Sequence, residues 1–217
     1  MASTLCPYCS KFSHMTPKWG LIFDSDSRLR FAATCDNCGR ILVAEGRGRS
    51  LSGRNAATTD MHHVTAGIAK ISDSLSWLPL ATEAPVIEDV PSSIARAASE
   101  AYKGSSIGNY MSAILMARTV IEATAKNKGI KSGTLSAKID KMREEQLIRP
   151  AIAEQAHEVR YFGNDMAHGD IDEIPERVDA EEVLALMSEV LSEVFQGPAR
   201  LQRLRDRRKS GDKPIDS

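Results

Sequence analysis

The chain has 217 residues, of which 42% are hydrophobic and 26% are charged, and its formal net charge is -1. This composition is typical of an ordinary globular protein of one or two domains, and the balanced charge excludes a strongly basic nucleic-acid-binding protein as a global description. No run of about 18 apolar residues predicts a membrane-spanning helix. Residues 1–10 lack the basic and apolar regions of a secretory signal, so we expect a cytoplasmic location.

The four cysteines form two C-x-x-C pairs, Cys6 with Cys9 and Cys35 with Cys38. Two such turns are typical of a tetrahedral zinc site, and Gly39 suits a tight turn with positive φ after the second pair. Disulfides are disfavoured in a cytosolic chain, and a redox C-x-x-C usually lies near a βαβ pattern, which the sequence lacks. We therefore predict a structural Zn²⁺ ion, because four thiolates leave no open position for catalysis.

The segment around these pairs has the pattern of short strands. Trp19–Phe23 and Leu29–Thr34 are separated by a turn at residues 24–27, and Ile41–Ala44 is a plausible third strand. Residues 1–44 are therefore predicted to form a small β zinc ribbon.

Residues 45–90 are predicted to be a linker and an extended segment. Residues 45–60 are rich in Gly, Ser and Arg and have no apolar periodicity. The arginines there are either solvated or in contact with phosphates, and solvation is the simpler reading. A short helix fits residues 64–74, and the prolines that follow favour extended backbone. We expect Trp77 to pack on the helical domain that follows.

From residue 91 the apolar residues recur with helical periodicity. The predicted helices cover residues 91–103, 107–128 and 134–146, a fourth from Pro150, and a fifth from about Ala180 after the N-cap Asp179. Gly197 and Pro198 are expected to end the last one. The fold class is thus mainly α, an antiparallel helical bundle over residues 91–197 preceded by the small β unit.

Residues 198–217 form a basic tail. Residues 199–213 hold seven basic and two acidic residues, a net charge of +5. The basic residues are Arg200, Arg203, Arg205, Arg207, Arg208, Lys209 and Lys213. This charge either attracts the phosphates of RNA or DNA, or belongs to a solvated helix end where cations suit the helix dipole.

A polar constellation lies within the predicted bundle. Arg160, Asn164 and His168 are spaced i, i+4, i+8, so they share one face of the fourth helix. Arg118 and Glu122 lie one turn apart in the apolar second helix, where a charged pair needs polar partners. The predicted network comprises Arg118, Glu122, Arg160, Asn164, Asp165 and His168. It either pins the second helix to the fourth or forms a functional site.

The helical segment resembles the family called domain of unknown function 4145 (DUF4145), which belongs to the HEPN-like superfamily. The resemblance covers residues 88–196 and is carried by the strings VPSSIARAASEAYKG, AILMARTVIEATAKNKGI, IDKMREEQLI and HEVRYFGNDMAHGD. Its most specific part is R-x-x-G-N-D-x-A-H, from Arg160 to His168, followed by the R-x-x-x-E pair of Arg118 and Glu122. The resemblance implies an all-α HEPN-like bundle, homodimerisation and a link to phage defence or other conflict systems.

The same resemblance leaves two functions open. In active HEPN ribonucleases an arginine precedes the catalytic histidine by about four to six residues, whereas seven residues separate Arg160 from His168 here. Gly163 stands where the closer arginine is expected. We therefore predict a non-catalytic module that binds nucleic acid or a protein partner. The alternative is a metal-independent endoribonuclease in which His168 transfers protons, Arg160 stabilises the phosphorane-like charge and Asn164 completes the site.

Overall fold

A computed structural model describes residues 2–168 and 174–210, without the side chains of residues 165–168 and 210. The chain forms two compact units, Met1–Thr82 and Glu83–Ser217. The first is built on an antiparallel sheet and the second is helical, which confirms a mainly α chain with an N-terminal β unit. Among the described helices, none has the length and hydropathy that crossing a bilayer requires.

The N-terminal unit is a five-stranded antiparallel sheet in which neighbouring strands follow chain order. The strands are β1 (Ser3–Leu5), β2 (Phe12–Phe23), β3 (Arg28–Cys35), β4 (Ile41–Arg47) and β5 (Ser76–Leu78). The three predicted strands lie within β2, β3 and β4. The edge strands β1 and β5 are three residues long, too short for an alternating pattern to reveal them.

Helix α1 (Met61–Ile71) covers one face of this sheet and is followed by a 3₁₀ turn. Its buried Val64 and Ile68 pack into one cluster with Ile22 and Phe31 of the sheet. The helix approaches closely because β2 carries a glycine at the contact. A Cβ at Gly20 would lie 2.5 Å from Cγ1 of Val64, so only a residue without a side chain fits there.

Residues 45–82 are therefore folded into the N-terminal unit, which differs from the predicted 45–90 linker. Leu51 is buried, and α1 and β5 complete the unit. The physical reason is that a single sheet must cover its apolar face with a second layer, which this segment supplies. The prediction for Trp77 is wrong: its ring packs edge-on against Phe31 of the sheet, with 5.5 Å between centroids.

The second unit is a helical bundle in which α3 (Tyr110–Asn127) is the central helix. The helices are α2 (Ser92–Ser106), α3 (Tyr110–Asn127), α4 (Leu135–Glu144), α5 (Pro150–His168), α6 (Arg177–Leu191) and α7 (Gly197–Ser210). Helix α3 contacts α2, α4, α5 and α6. Its fully buried Ile114, Val120 and Ile121 join one apolar cluster that continues through α5 and α6.

The last helices differ from prediction at two points. Helix α6 begins at Arg177, because Glu176 is its N-cap and Asp179 is the third residue of a capping box, not the cap itself. The helix also continues past Pro198, which cannot donate a main-chain hydrogen bond. A π-helical turn at Ser192–Gln196 lies just before this proline and connects α6 to α7. The basic tail is therefore helical as far as Ser210.

Candidate functional site

The two C-x-x-C turns of the N-terminal unit have matching backbone geometry. In the first turn the Ser10 N–H donates to the Cys6 carbonyl (2.9 Å), and in the second the Gly39 N–H donates to the Cys35 carbonyl (2.7 Å). Ser10 and Gly39 both have positive φ, 54° and 73°. The second value agrees with the prediction for Gly39. Each turn thus wraps its backbone around a common centre and directs two sulfurs towards it.

The four cysteine sulfurs converge on one point. All four Sγ atoms lie within 4.8 Å of one another. The Cys6–Cys38 distance is 3.8 Å and the Cys9–Cys35 distance is 4.0 Å. The amide of Asn37 also donates to the Cys9 sulfur (3.3 Å). This cluster can hold a metal ion, and the β2–β3 hairpin positions it by bringing the second pair next to the first.

The thiols of this cluster do not ionise alike. Burial raises the pKa of Cys35, but hydrogen bonds from the Cys38 backbone and the Ser13 hydroxyl outweigh burial and bring it down to about 6. The Arg40 backbone lowers the pKa of Cys38, but desolvation and the neighbouring cysteines outweigh it and raise that pKa to about 11. Four thiolates at neutral pH therefore need a bound cation, as metal ligation supplies.

A second polar site lies in the helical unit, in a cleft of about 510 Å³ between α3, α4 and α5. Three cationic side chains line it, Arg118, Lys138 and Arg160, together with the single carboxylate Glu122 and the amide of Asn164. The first turn of α4 forms another wall. The described lining thus has a net charge of +2.

Arg118 and Asn164, two members of the predicted network, form a bridge between α3 and α5. Nε of Arg118 donates to Oδ1 of Asn164 (3.1 Å). The arginine reaches that position across the surface of Gly163. A Cβ on Gly163 would lie 2.6 Å from Cδ and 2.7 Å from Cβ of Arg118. Gly163 is therefore a place of close helix approach, a role that the sequence pattern alone does not reveal.

Glu122 has partners that the sequence analysis did not name. Its Oε1 accepts from Nζ of Lys126 (2.8 Å) and from Nζ of Lys138 (2.9 Å). The hydrogen bonds from Lys126 and Lys138 lower the pKa of Glu122 to about 2, against the opposing effect of burial. Glu122 is thus a permanent anion at neutral pH.

Lys138 is the functional candidate that the sequence analysis missed. Only 5% of it is exposed, although lysine is rarely buried without a partner. A signal for it was present in the sequence: Lys138 lies on the apolar stripe of α4 with Leu135, Ile139 and Met142. A lysine inside such a stripe predicts a buried carboxylate partner.

Arg160 stands apart from the Arg118–Asn164 bridge. Its guanidinium lies 3.8 Å from the ring centroid of Tyr161, and its Nε lies 3.4 Å from Nδ1 of His157. The described part of the predicted network is therefore divided among separate contacts around one cleft. The side chains of Asp165 and His168 lie outside the described residues.

Helix α7 displays the basic tail on the surface. The described basic residues of α7 are exposed: Arg200, Arg203, Arg205, Arg207, Arg208 and Lys209. Arg203 is ion-paired with Asp89, which attaches α7 to the segment that precedes α2. Lys213 lies outside the described residues.

Comparison with known proteins identifies the family of the helical unit. The model of the family described as domain of unknown function (DUF4145) matches residues 99–207, about half of the chain. No curated protein and no solved structure gave a match. The matched range contains the whole cleft between α3, α4 and α5. The chain therefore belongs to the DUF4145 family.

Proposed function

We propose that the protein is a non-catalytic nucleic-acid-binding protein whose helical cleft holds phosphate groups of single-stranded RNA. The observation that carries this proposal is the charge of the cleft, where Arg118, Lys138 and Arg160 face a single carboxylate. The cleft also contains the start of α4, which is capped by Thr134. Backbone N–H groups at a helix N-terminus favour anions. The cationic side chains and the N-terminus of α4 therefore both favour a negatively charged ligand in the cleft.

The described groups of the cleft suit binding better than proton transfer. With a pKa of about 2, Glu122 is too weak a base to accept a proton at neutral pH. Arg118 is held by Asn164, and arginine stays protonated in proteins. These residues supply fixed positive charge and hydrogen-bond donors, which is what recognition of a phosphate backbone needs.

Replacing Arg160 tests this proposal. Binding of a labelled single-stranded RNA is measured by fluorescence anisotropy between about 50 and 200 mM salt. Arg160→Gln should weaken binding roughly tenfold and reduce the salt slope by about 0.7, the share of one phosphate contact on a single strand. Arg177→Gln is the control, since Arg177 is exposed on α6 and pairs with Glu181. Equal affinity of the Arg160→Gln variant and the wild type would contradict the proposal.

We also infer that the cysteine cluster binds one structural zinc ion. A tetrahedral site with Zn–S bonds of about 2.3 Å has sulfurs about 3.8 Å apart. Cys6 and Cys38 lie at 3.8 Å, Cys9 and Cys35 lie at 4.0 Å, and all four sulfurs lie within 4.8 Å of one another. Such an ion would join the two turns and fix the end of the sheet. Metal analysis of protein purified without chelator should find about one equivalent of zinc. Well below half an equivalent would contradict the inference.

A metal-independent endoribonuclease is the second candidate. The observation that favours it is that Arg160 and Asn164 line one cleft from successive turns of α5, the helix that ends at His168. If the site is catalytic, His168→Ala should abolish RNA cleavage without loss of stability. If it is not, the wild type should bind RNA without cutting it. Asn164→Ala should cost about 1–3 kcal/mol in either case, because Nε of Arg118 loses its acceptor.

The basic helix α7 is proposed as a further nucleic-acid contact. Deleting residues 199–217 should lower affinity and the salt slope together, since each phosphate contact that is lost reduces both.

From the family resemblance we also infer a HEPN-like homodimer that acts in phage defence or another conflict system. Light scattering coupled to size exclusion should then give twice the chain mass of 23.7 kDa.

A further inference from the structure

The outer face of the N-terminal sheet, opposite α1, carries an exposed row of apolar residues. Register places Trp19, Ala32, Val43 and Leu78 side by side across β2, β3, β4 and β5. Trp19 is 52% exposed and Leu78 is 54% exposed. The solvent exposure of Trp19 needs an explanation, because tryptophan side chains are buried on average in folded proteins.

A β-bulge directs Trp19 to this face. Pro17 pairs with Ala33 and Trp19 pairs with Ala32, so Lys18 is an extra residue in β2. Because side chains alternate along a strand, Trp19 would share the inner face with the buried Met15 if Lys18 were an ordinary paired residue opposite Ala32. The inserted residue reverses the alternation, and bulges commonly serve to re-aim a side chain in this way.

The same face has an excess of positive charge at one end. Arg28 and Arg47 are direct cross-strand partners, an arrangement of like charges that destabilises a sheet. Glu45 is the sole acidic residue at the outward positions of β2–β5, and it is held by Arg30 at 2.8 Å. The charges of Arg28 and Arg47 also attract Glu45 and help to lower the pKa of its carboxyl, but its hydrogen bonds go to Arg30. Arg28 and Arg47 line a cavity of about 340 Å³ together with Phe23, Glu45 and Ser76.

We propose that this outer face binds single-stranded nucleic acid, with an unpaired base stacked on Trp19 and phosphates held by Arg28 and Arg47. Trp19 and the arginine pair are four residues apart along the sheet, about 13 Å, so the site spans a few nucleotides. Aromatic stacking beside cationic side chains is the usual way in which proteins hold single strands. An apolar row alone would suit a protein, but Arg28, Arg30, Arg47 and Lys18, with Glu45 counted against them, give the outward face a net charge of +3.

This inference deepens the proposed function, because it assigns a second contact surface for the same ligand in the other unit. The two surfaces can be measured separately. The chain has two tryptophans, Trp19 and Trp77, and both lie in the N-terminal unit. Trp77 packs against Phe31 beneath the sheet, so quenching by a base reports on Trp19. Changes in the helical cleft should not affect that signal.

The experiment titrates the full chain with unlabelled oligouridine of about 12 nucleotides and follows tryptophan fluorescence. The wild type should be quenched. Trp19→Leu should remove the quenching and weaken binding by about tenfold. Arg28→Gln with Arg47→Gln should weaken binding and lower the salt slope by about 1.4, with melting temperature unchanged or raised because a like-charge pair is removed. Arg54→Gln, exposed in the loop before α1, is the control cation and should bind as the wild type.

The outcomes separate this inference from the proposed function. Quenching that survives in Arg160→Gln but disappears in Trp19→Leu supports the sheet surface, whatever the cleft does. If anisotropy shows RNA binding but tryptophan fluorescence is not quenched, the proposal for the sheet face is contradicted and the proposal for the helical cleft is not. Equal quenching by a duplex, or quenching retained in Trp19→Leu, also overturns the sheet surface. Failure of RNA to bind the wild type at all overturns both proposals.

Discussion

The two units of this chain are stabilised in different ways. The helical unit has a continuous apolar cluster that runs through α2–α6, whereas the N-terminal unit has a smaller cluster between one sheet and α1, with two cysteines among its buried members. Small domains that bury little apolar surface usually need a metal or a disulfide to fold. We therefore expect the cysteine cluster to contribute to the stability of the first unit and not to that of the second.

Removing one cysteine ligand should have the largest effect. Cys35→Ser should unfold the N-terminal unit, because structural zinc contributes about 10 kcal/mol or more to the folding of small zinc domains. Tryptophan emission reports on this unit alone, since Trp19 and Trp77 both lie in it. The emission should shift to that of exposed tryptophan, while the helical circular dichroism signal remains. A chelator should produce the same change in the wild type. Unchanged emission in Cys35→Ser would show that the sheet and α1 suffice.

A core truncation in the helical unit should give the reverse pattern. Leu184 is 3% exposed and belongs to the bundle core. Leu184→Ala should lower the free energy of unfolding by about 2–5 kcal/mol. Denaturant unfolding followed by circular dichroism should detect this shift, with tryptophan emission unaffected. Leu201→Ala is the control, since Leu201 is 48% exposed on α7 and should change stability by less than about 0.5 kcal/mol. A shift of both signals together would mean that the two units unfold as one.

Crowding α3 against α5 should have an intermediate effect. Gly163→Ala places a methyl group 2.6 Å from Cδ of Arg118 and should cost about 1–3 kcal/mol by overpacking. Gly104→Ala in α2 is the matched control, because the nearest atom to its Cβ is 3.6 Å away. That change should be neutral or stabilising by up to about 1 kcal/mol through helix propensity. Equal effects of the two changes would remove the packing role of Gly163.

The parts of the fold that were predictable from sequence are those whose residues lie close to one another along the chain. The metal-ligand pairs are read from residues three apart, and the bundle helices from apolar recurrence within one helix. The short helix predicted over residues 64–74 overlaps α1, but the place of residues 45–82 in the N-terminal unit was missed, because the rest of the segment adds only scattered apolar residues such as Leu51. No local pattern shows that such a segment returns to the sheet as β5.

The candidate site in the helical unit shows the same limit. The Arg118–Asn164 bridge was predictable because both residues lie on facing sides of regular helices. The partners of Glu122 were not, because the choice of Lys138 over Arg118 depends on how α4 packs against α3. The packing role of Gly163 was not predictable for the same reason, because it is defined by a side chain from another helix.

The smallest predicted effect is an acid response of the helical unit through Glu122. Its pKa in the folded protein is about 2, below the ordinary value of 4.5. A carboxyl group with a lowered folded pKa stabilises the protein above its unfolded pKa, and this contribution is lost as pH falls from about 4.5 to 2. Glu122→Gln should therefore flatten the decline of helical stability in that window. The cost near neutral pH should be about 1 kcal/mol, since glutamine keeps an oxygen that can accept from Lys138.

The measurement is thermal unfolding by circular dichroism at several pH values through that window, because tryptophan emission would report acid effects at the cysteine cluster instead. Glu181→Gln is the control, since Glu181 is half-exposed on α6 and its pair with Arg177 lies at the surface. If Glu122→Gln and Glu181→Gln decline in parallel with the wild type, the lysines around Glu122 act as solvated surface charges. If only Glu122→Gln is flattened, the carboxylate offsets the charge of the buried Lys138, and the cleft keeps its positive excess on Arg118 and Arg160.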